Sequence, residues 1–177
     1  MTTLLSKRQW YAVQVRSNQE VQVAEFLKNR LVEHFLPTYS EASKRQDRKV
    51  ILSKPLFKGY LFAHVDYRKA ERVEVLKAPG TVKIVTFSDS PVPVPDEVIE
   101  SIQILVGAKD GATTVKPHPL VQAGRKVKVV EGAFRGAVGR LHETEDRHPK
   151  LVVEIEFLGR AVSVPIAMEQ VQPHFSD

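Results

Sequence analysis

The hydrophobic period changes once along this chain, at the stretch KDGATTVKPHPL, residues 109–120. Before it, segments that alternate apolar and polar residues at two are interleaved with segments that repeat at three and four. After it, every segment alternates at two. A period near 3.6 marks a helix with one buried stripe and a period of two marks a strand with one buried face, so the first part is predicted to be α+β and the second all-β. The stretch between them has almost no periodicity, two prolines and small polar residues. It predicts a linker at 109–120 joining a domain at 1–108 to a domain at 121–177.

In the first part WYAVQVRS, Trp10 to Ser17, reads as a strand. A helix follows over SNQEVQVAEFLKNRLVEHF, with Ser17 or Asn18 as its cap and Glu20 in the first turn. Val23, Ala24, Leu27 and Leu31 form its apolar stripe, which is expected to lie on the sheet that Tyr11, Val13 and Val15 help to build. HFLPTYSE is a further strand, and GYLFAHVD, Gly59 to Asp66, is apolar on both faces, as in a strand covered on both sides. DYRKAERVEVLKA is a second helix, with Asp66 as cap, Val73 and Leu76 on one face, and Pro79-Gly80 as its stop. VKIVTF returns a strand. PDEVIESIQILVGA is a third helix, opened by Pro95, Asp96 and Glu97. The fold expected is an antiparallel four-stranded sheet with about three helices.

Beyond the linker, RKVKVVE, AVGRLHE, LVVEIEFLG, RAVSVPI and a short EQVQPH are five strands, with Gly159-Arg160 as a tight turn between two of them. Five short strands in so short a domain suit a small barrel, because closure hides the edges. The hairpin VKVVEGAFRGAVGRL places Phe134 and Arg135 at its tip. Phe134 there is either an exposed docking anchor or a plug folded back into the barrel end.

Composition excludes several classes. With 177 residues, 42% hydrophobic and 27% charged, the chain is of ordinary globular composition. No run of ~18 apolar residues could span a bilayer, the start MTTLLSKRQW lacks a secretory apolar segment, and a cytoplasmic protein is expected, with no membrane partner. The absence of cysteine removes disulfides, thiolate metal sites and cysteine nucleophiles. His34, His64, His118, His142, His148 and His174 form no HxH or HExxH pattern, so no metal site is expected. No Gly-rich phosphate loop ending in Lys-Ser/Thr and no G-x-S-x-G elbow occurs, so neither an enzyme nor a cofactor is expected. Of the net charge of +5, residues 1–108 carry +4, from 16 Lys+Arg against 12 Asp+Glu. Lys44, Arg45, Arg48, Lys49, Lys54 and Lys58 cluster on one predicted hairpin against Asp47 alone. That hairpin is either a solvated tip or a surface that follows a phosphate backbone.

Trp10-Tyr11 opening a strand, PLFKGYLFAHV (Pro55 to Val65), KAPGTVKIV (Lys77 to Val85), PVPDEVIESI (Pro93 to Ile102) and VKVVEGAFRGAVGRL occur in the order and spacing of the NusG family of transcription elongation factors, which the chain resembles over nearly its whole length. HFLPTY, RQDRKV before PLFKGY, and KPHPLVQAGRKV resemble the family's specialised paralogues of the RfaH and UpxY kind. Lys58 stands where the family usually has proline before Gly-Tyr.

The resemblance implies an amino-terminal NGN domain and a carboxy-terminal KOW domain, a five-stranded SH3-like barrel. It implies that the first domain binds the clamp helices of the largest RNA polymerase subunit through an aromatic-rimmed depression, for which Tyr11, Phe57, Tyr60 and Phe62 are the candidates. The clamp is then held closed across the DNA cleft and pausing or termination is suppressed, as in factors that serve particular long operons. Arg45, Arg48 and Lys49 are the candidates for contact with upstream or non-template DNA. Phe134 and Arg135 are the candidates for docking a second partner, a small-subunit ribosomal protein or the Rho termination factor. A ribosomal or other RNA-binding protein built on a KOW barrel would account for the second domain and the basic balance, and would leave the aromatic motifs of the first unexplained.

Overall fold

The computed structural model describes residues 7–42, 50–108, 115–119, 124–143 and 148–175. Its elements run β1 (Gln9–Val15), α1 (Glu20–Asn29), β2 (His34–Phe35), β3 (Thr38–Ala42), β4 (Ile51–Pro55), β5 (Tyr60–Val65), α2 (Ala70–Lys77), β6 (Thr81–Ile84), β7 (Thr86–Phe87), β8 (Ser90–Pro91), β9 (Pro93–Val94) and α3 (Asp96–Gly107). They continue with β10 (Lys116–His118), β11 (Arg125–Val129), β12 (Val138–Glu143), β13 (Pro149–Ile155), β14 (Arg160–Pro165) and β15 (Val171–Pro173). Three helices and antiparallel sheets make the expected α+β class. Contacts divide the chain into two units, one of Met1–Leu36 with Phe57–Asp96 and one of Pro37–Leu56 with Glu97–Asp177.

In the first unit the strands lie in the order β2-β5-β1-β6, and β9 also pairs with β1, every pair being antiparallel. Tyr11 lies opposite Ala63 and Ala12 opposite Phe62. Because side chains alternate faces, Tyr11, Val13, Leu61 and Ala63 share one face, while Trp10, Ala12, Tyr60 and Phe62 share the other. The first face is buried with Val23 and Leu27 of α1 and Val75 of α2, each such side chain contributing about 1.5–3 kcal/mol relative to exposure. β5 is buried on both faces at Leu61, Phe62 and Ala63, as its unbroken apolar run requires.

Four local expectations of the first unit are corrected. Leu31 does not join the apolar stripe of α1: the helix ends at Asn29, and Leu31, with φ 57°, is exposed. Neither Ser17 nor Asn18 caps α1: Asn18 adopts a left-handed φ of 63° and the cap position falls on Gln19 with no side-chain bond. Asp66 does not cap α2, which begins at Ala70. Its carboxylate instead accepts the Arg68 N–H at 3.0 Å and ties the preceding turn. Val75, not Val73 or Leu76, is the buried residue of α2, and the latter two are exposed.

In the second unit β3 and β4 form a two-stranded ribbon. The remaining strands form one antiparallel sheet in the order β10-β14-β13-β12-β11-β15. Five of these are the strands expected of the barrel, and β10 is a sixth, drawn from the segment expected to be linker. The sheet curls strongly enough that His118 of β10 packs its ring edge-on against His142 of β12, 5.9 Å between centroids. Gly159-Arg160 is not a two-residue turn: a 3₁₀ turn at Glu156–Leu158 precedes Gly159, whose φ of 61° completes the reversal.

Candidate protein and nucleic-acid interfaces

The turn PLFKGY is where β4 leads into β5, and its conformation decides where Phe57 and Tyr60 point. Tyr60 donates its N–H to the Phe57 carbonyl at 2.9 Å and Gly59 has φ +83°, which is a type II turn with Lys58 at its second position. Proline is favoured at that position because its fixed φ suits the turn, yet most residues reach it, so Lys58 leaves the geometry intact and adds an exposed charge. Glu20, itself buried, accepts the Gly59 N–H at 2.8 Å. The acid expected merely to favour the start of α1 therefore pins the turn from across the unit, with a separation of 39 residues.

Held in this way, Phe57 meets Phe62 edge to face, with ring centroids 5.6 Å apart. Phe35 of β2 lies 6.3 Å from Phe62 in a tilted arrangement, and Trp10 stacks on His64 at 4.9 Å. Phe57 and Phe62 are 1% and 0% exposed, while Tyr60 and Phe35 are half-buried. Of the four aromatic candidates, Tyr60 and Phe62 share one sheet face by parity and Phe57 packs on Phe62 there, with Tyr60 half-buried and the two phenylalanines fully buried. Tyr11 does not join them. Its position on β1 sends it to the helix-covered face, where it packs 5.4 Å from Tyr67 and donates its hydroxyl to Gln9 Oε1 at 3.3 Å. Burial pushes the Tyr11 phenol pKa up, and the nearby Asp66 carboxylate adds to the shift.

Trp10 and Phe35 are not among the binding candidates read from the sequence. Trp10 could have been found from period two, since it shares the parity of Ala12 and not of Tyr11. Phe35 could not, because its place opposite Phe62 comes from the pairing of β2 with β5, distant in the chain.

The proposed DNA-contacting residues Arg45, Arg48 and Lys49 lie outside the described residues. The described part of their hairpin, β3 and β4, pairs Thr38 with Pro55 through Ala42 with Ile51. Lys54 there is tied to Glu41, whose carboxylate hydrogen bond raises the lysine pKa. Val50, Ile51 and Leu52 are exposed on the same ribbon.

At the barrel tip Arg135 is exposed as expected, but Phe134 is 4% exposed, against the expectation of an exposed anchor. The turn is not free on either side. Ala137 donates to the Phe134 carbonyl at 3.0 Å and Gly136 to that of Val129 at 2.9 Å, and Val130 donates to Gln170 at 2.8 Å. Val138, immediately beyond the tip, donates its N–H at 2.8 Å to the buried hydroxyl of Ser101 on α3, which itself donates to the Glu97 carbonyl at 2.7 Å. A methyl group on Gly136 would come within 3.3 Å of Ile104. Glu97 reaches both Lys126 at 2.8 Å and His174 at 3.0 Å. The hydrogen bond from Lys126 is the main cause holding the Glu97 carboxyl below its usual range, helped by His174 and opposed by partial burial. These bonds attach α3 to the barrel strands, which is why Glu97 onward groups with the second unit and not with the sheet of the first.

Among the described residues no group of three or more His, Asp or Glu side chains is placed to hold a metal ion, and no helix is long and apolar enough to cross a membrane.

Comparison with known proteins agrees over the length of the chain. The family model described as transcription termination factor nusG matches residues 8–103, more than half of the chain. The transcription termination/antitermination protein NusG of Thermus thermophilus is 29% identical over 181 residues, covering 92% of this chain and 97% of that protein. Its Helicobacter pylori counterpart is 26% identical over 174 residues, with the same coverage of 92% and 97%. A solved structure of domain interaction in Thermotoga maritima NusG superimposes with a TM-score of 0.55 at 24% identity, covering 94% of this chain and 97% of that one, which supports the fold.

Proposed function

Because the chain belongs to the NusG family of transcription termination/antitermination factors, whose members are not enzymes, we propose that it binds RNA polymerase through the aromatic face of its first unit and suppresses pausing or termination. In this reading it is an NGN domain at 1–108 joined by a linker at 109–120 to a KOW domain at 121–177, acts in the cytoplasm, and serves particular long operons. The surface gripped is the pair of clamp helices of the largest subunit. Arg45, Arg48 and Lys49 reach upstream or non-template DNA, and the barrel takes a small-subunit ribosomal protein or Rho at the hairpin tip through the exposed Arg135, with Phe134 buried beneath the turn.

The observation that supports the polymerase contact is the placing of half-buried Tyr60 on the same sheet face as the Phe57–Phe62 edge-to-face pair. Aromatic residues with a polar handle dominate interface energetics, and Tyr60, part-exposed beside the buried aromatic pair on the same face, is the anchor of this reading. Phe57 and Phe62 then shape the site from below, and Tyr11 supports the opposite face. Titration of an isolated clamp-helix fragment tests this directly. Tyr60→Ala should weaken binding by roughly 30-fold, about 2 kcal/mol, without lowering the melting temperature. Equal affinity of the two proteins would overturn the assignment.

A further inference from the structure

Within the second unit the sheet ends at β10, which pairs with β14 alone. β10 is short: three pairs, Lys116 with Ser163, Pro117 with Val162 and His118 with Ala161, against six between β13 and β14. Its central residue is a proline, which supplies no backbone N–H and in sheets is confined to edges. Its own side chains contribute little burial, since Lys116 and Pro117 are exposed and only the preceding Val115 is buried. Beyond the ladder, the described contacts of β10 are the ring contact of His118 with His142 and the bond of the His118 ring to the Pro119 carbonyl at 2.7 Å, which stays within its own segment. β14, by contrast, is buried on both faces from Ala161 to Val164. What β10 chiefly removes from solvent is therefore the row of backbone donors and acceptors along β14, and such a row is a template for any added strand.

We propose that the outer edge of β14 is a strand-acceptor site for an extended segment of a partner protein, and that β10 is its resident, displaceable occupant. This goes beyond the docking proposed at the hairpin tip by assigning a separate edge of the same domain to a protein that offers a proline-free, β-forming segment antiparallel to β14. Such a segment makes the same ladder as β10 with every donor present, and extends it along the six residues of β14. The seated geometry of β10 fixes direction and register. The partner and the chain's own linker then compete for one edge, so the linker sets the threshold for binding.

The test uses the full chain in three forms: wild type, Lys116→Val with Pro117→Val to tighten the resident strand, and Lys116→Gly with His118→Gly to loosen it. The probe in trans is a fluorescent peptide of residues 114–119 carrying Pro117→Val. Amide exchange at Ala161 to Ser163 should be at least about tenfold slower in the tightened protein and at least about tenfold faster in the loosened one than in wild type. The peptide should bind the loosened protein in preference to the other two. Equal exchange in all three proteins, equal peptide binding to all three, or dimerisation of the loosened protein without peptide uptake, which would make a second copy the occupant, overturns the proposal. A failed clamp-helix titration leaves these readouts unaffected, so this proposal and the polymerase contact fail separately.

Discussion

Phe134→Ala is the most decisive single change in the second unit. A phenylalanine side chain buries about 150–250 Å², and at about 25 cal/mol per Å² that corresponds to roughly 4–6 kcal/mol. Allowing about 10–40% for residual compactness of the unfolded chain leaves roughly 3–5 kcal/mol, which agrees with the range of about 3–5 kcal/mol for buried Phe→Ala replacements. With 4% exposure, Phe134 belongs in that range. Urea unfolding followed by far-ultraviolet circular dichroism should show the midpoint fall by more than about 1 M, given slopes of about 1–3 kcal/mol/M for small proteins. A loss below about 0.5 kcal/mol, the value typical of surface sites, would mean that Phe134 is exposed in solution and that the turn does not close as described. Arg135→Ala is the matched control: exposed, it should leave stability unchanged. A partner that takes Phe134 as its anchor must offset the free energy of drawing it out, whereas one that reads Arg135 need not.

Glu20→Ala should destabilise the first unit by about 1–3 kcal/mol, because the part-buried Gly59 N–H loses its acceptor. Glu20→Gln, which keeps a carbonyl oxygen, should cost less, and clamp-helix affinity should fall in the same order, as measured by titration. Glu97 has its pKa lowered in the folded chain, so its contribution is present above its ordinary value of 4.5 and is lost as pH falls through the lowered folded value. Chemical-denaturation midpoints taken across that acid range should converge between wild type and Glu97→Gln at the low end, and parallel curves would refute the coupling. Reversing the charge of Arg45, Arg48 and Lys49 should flatten the salt dependence of the effect on pausing by about one unit of logarithmic slope per lost phosphate contact, while clamp-helix binding survives. Identical slopes would make the hairpin tip a solvated one.

What the sequence disclosed and what it withheld divide along the range of the interactions involved. The burial of Val23 and Leu27 in the helical stripe and the doubly buried β5 are consequences of period alone, and both stand in the structure, whereas Leu31, counted in the same stripe, is exposed. Tyr11 was also decidable from period: counting from Val13 and Val15 places it with the helix-facing side chains, and the same count sends Trp10 to the other face. The helix caps were less legible, because Asn18 takes a left-handed conformation and Gln19 donates back to Arg16 at 3.1 Å, an alternative that the residue types at Ser17 and Asn18 permit equally well. The place of Phe35 and the bond of Glu20 to Gly59 were not legible, and the burial of Phe134 was one of two readings that local sequence left open. Each acts on a partner set by chain topology: Phe62 across β2 and β5, Gly59 at the far side of the unit, and the closed turn whose flank is bonded to Ser101. Gly132, Ala133 and Gly136 make a turn too small to bury a phenylalanine by itself, so local chemistry argues for exposure. In the structure Gln170 and Ile104 of α3 lie against the same turn, a long-range closure that local sequence does not disclose. The strand β10 is the same lesson in backbone form. Val115 to His118 carries no pattern that would pay for a strand in isolation, and becomes one because β14 presents an edge that would otherwise stay unpaired.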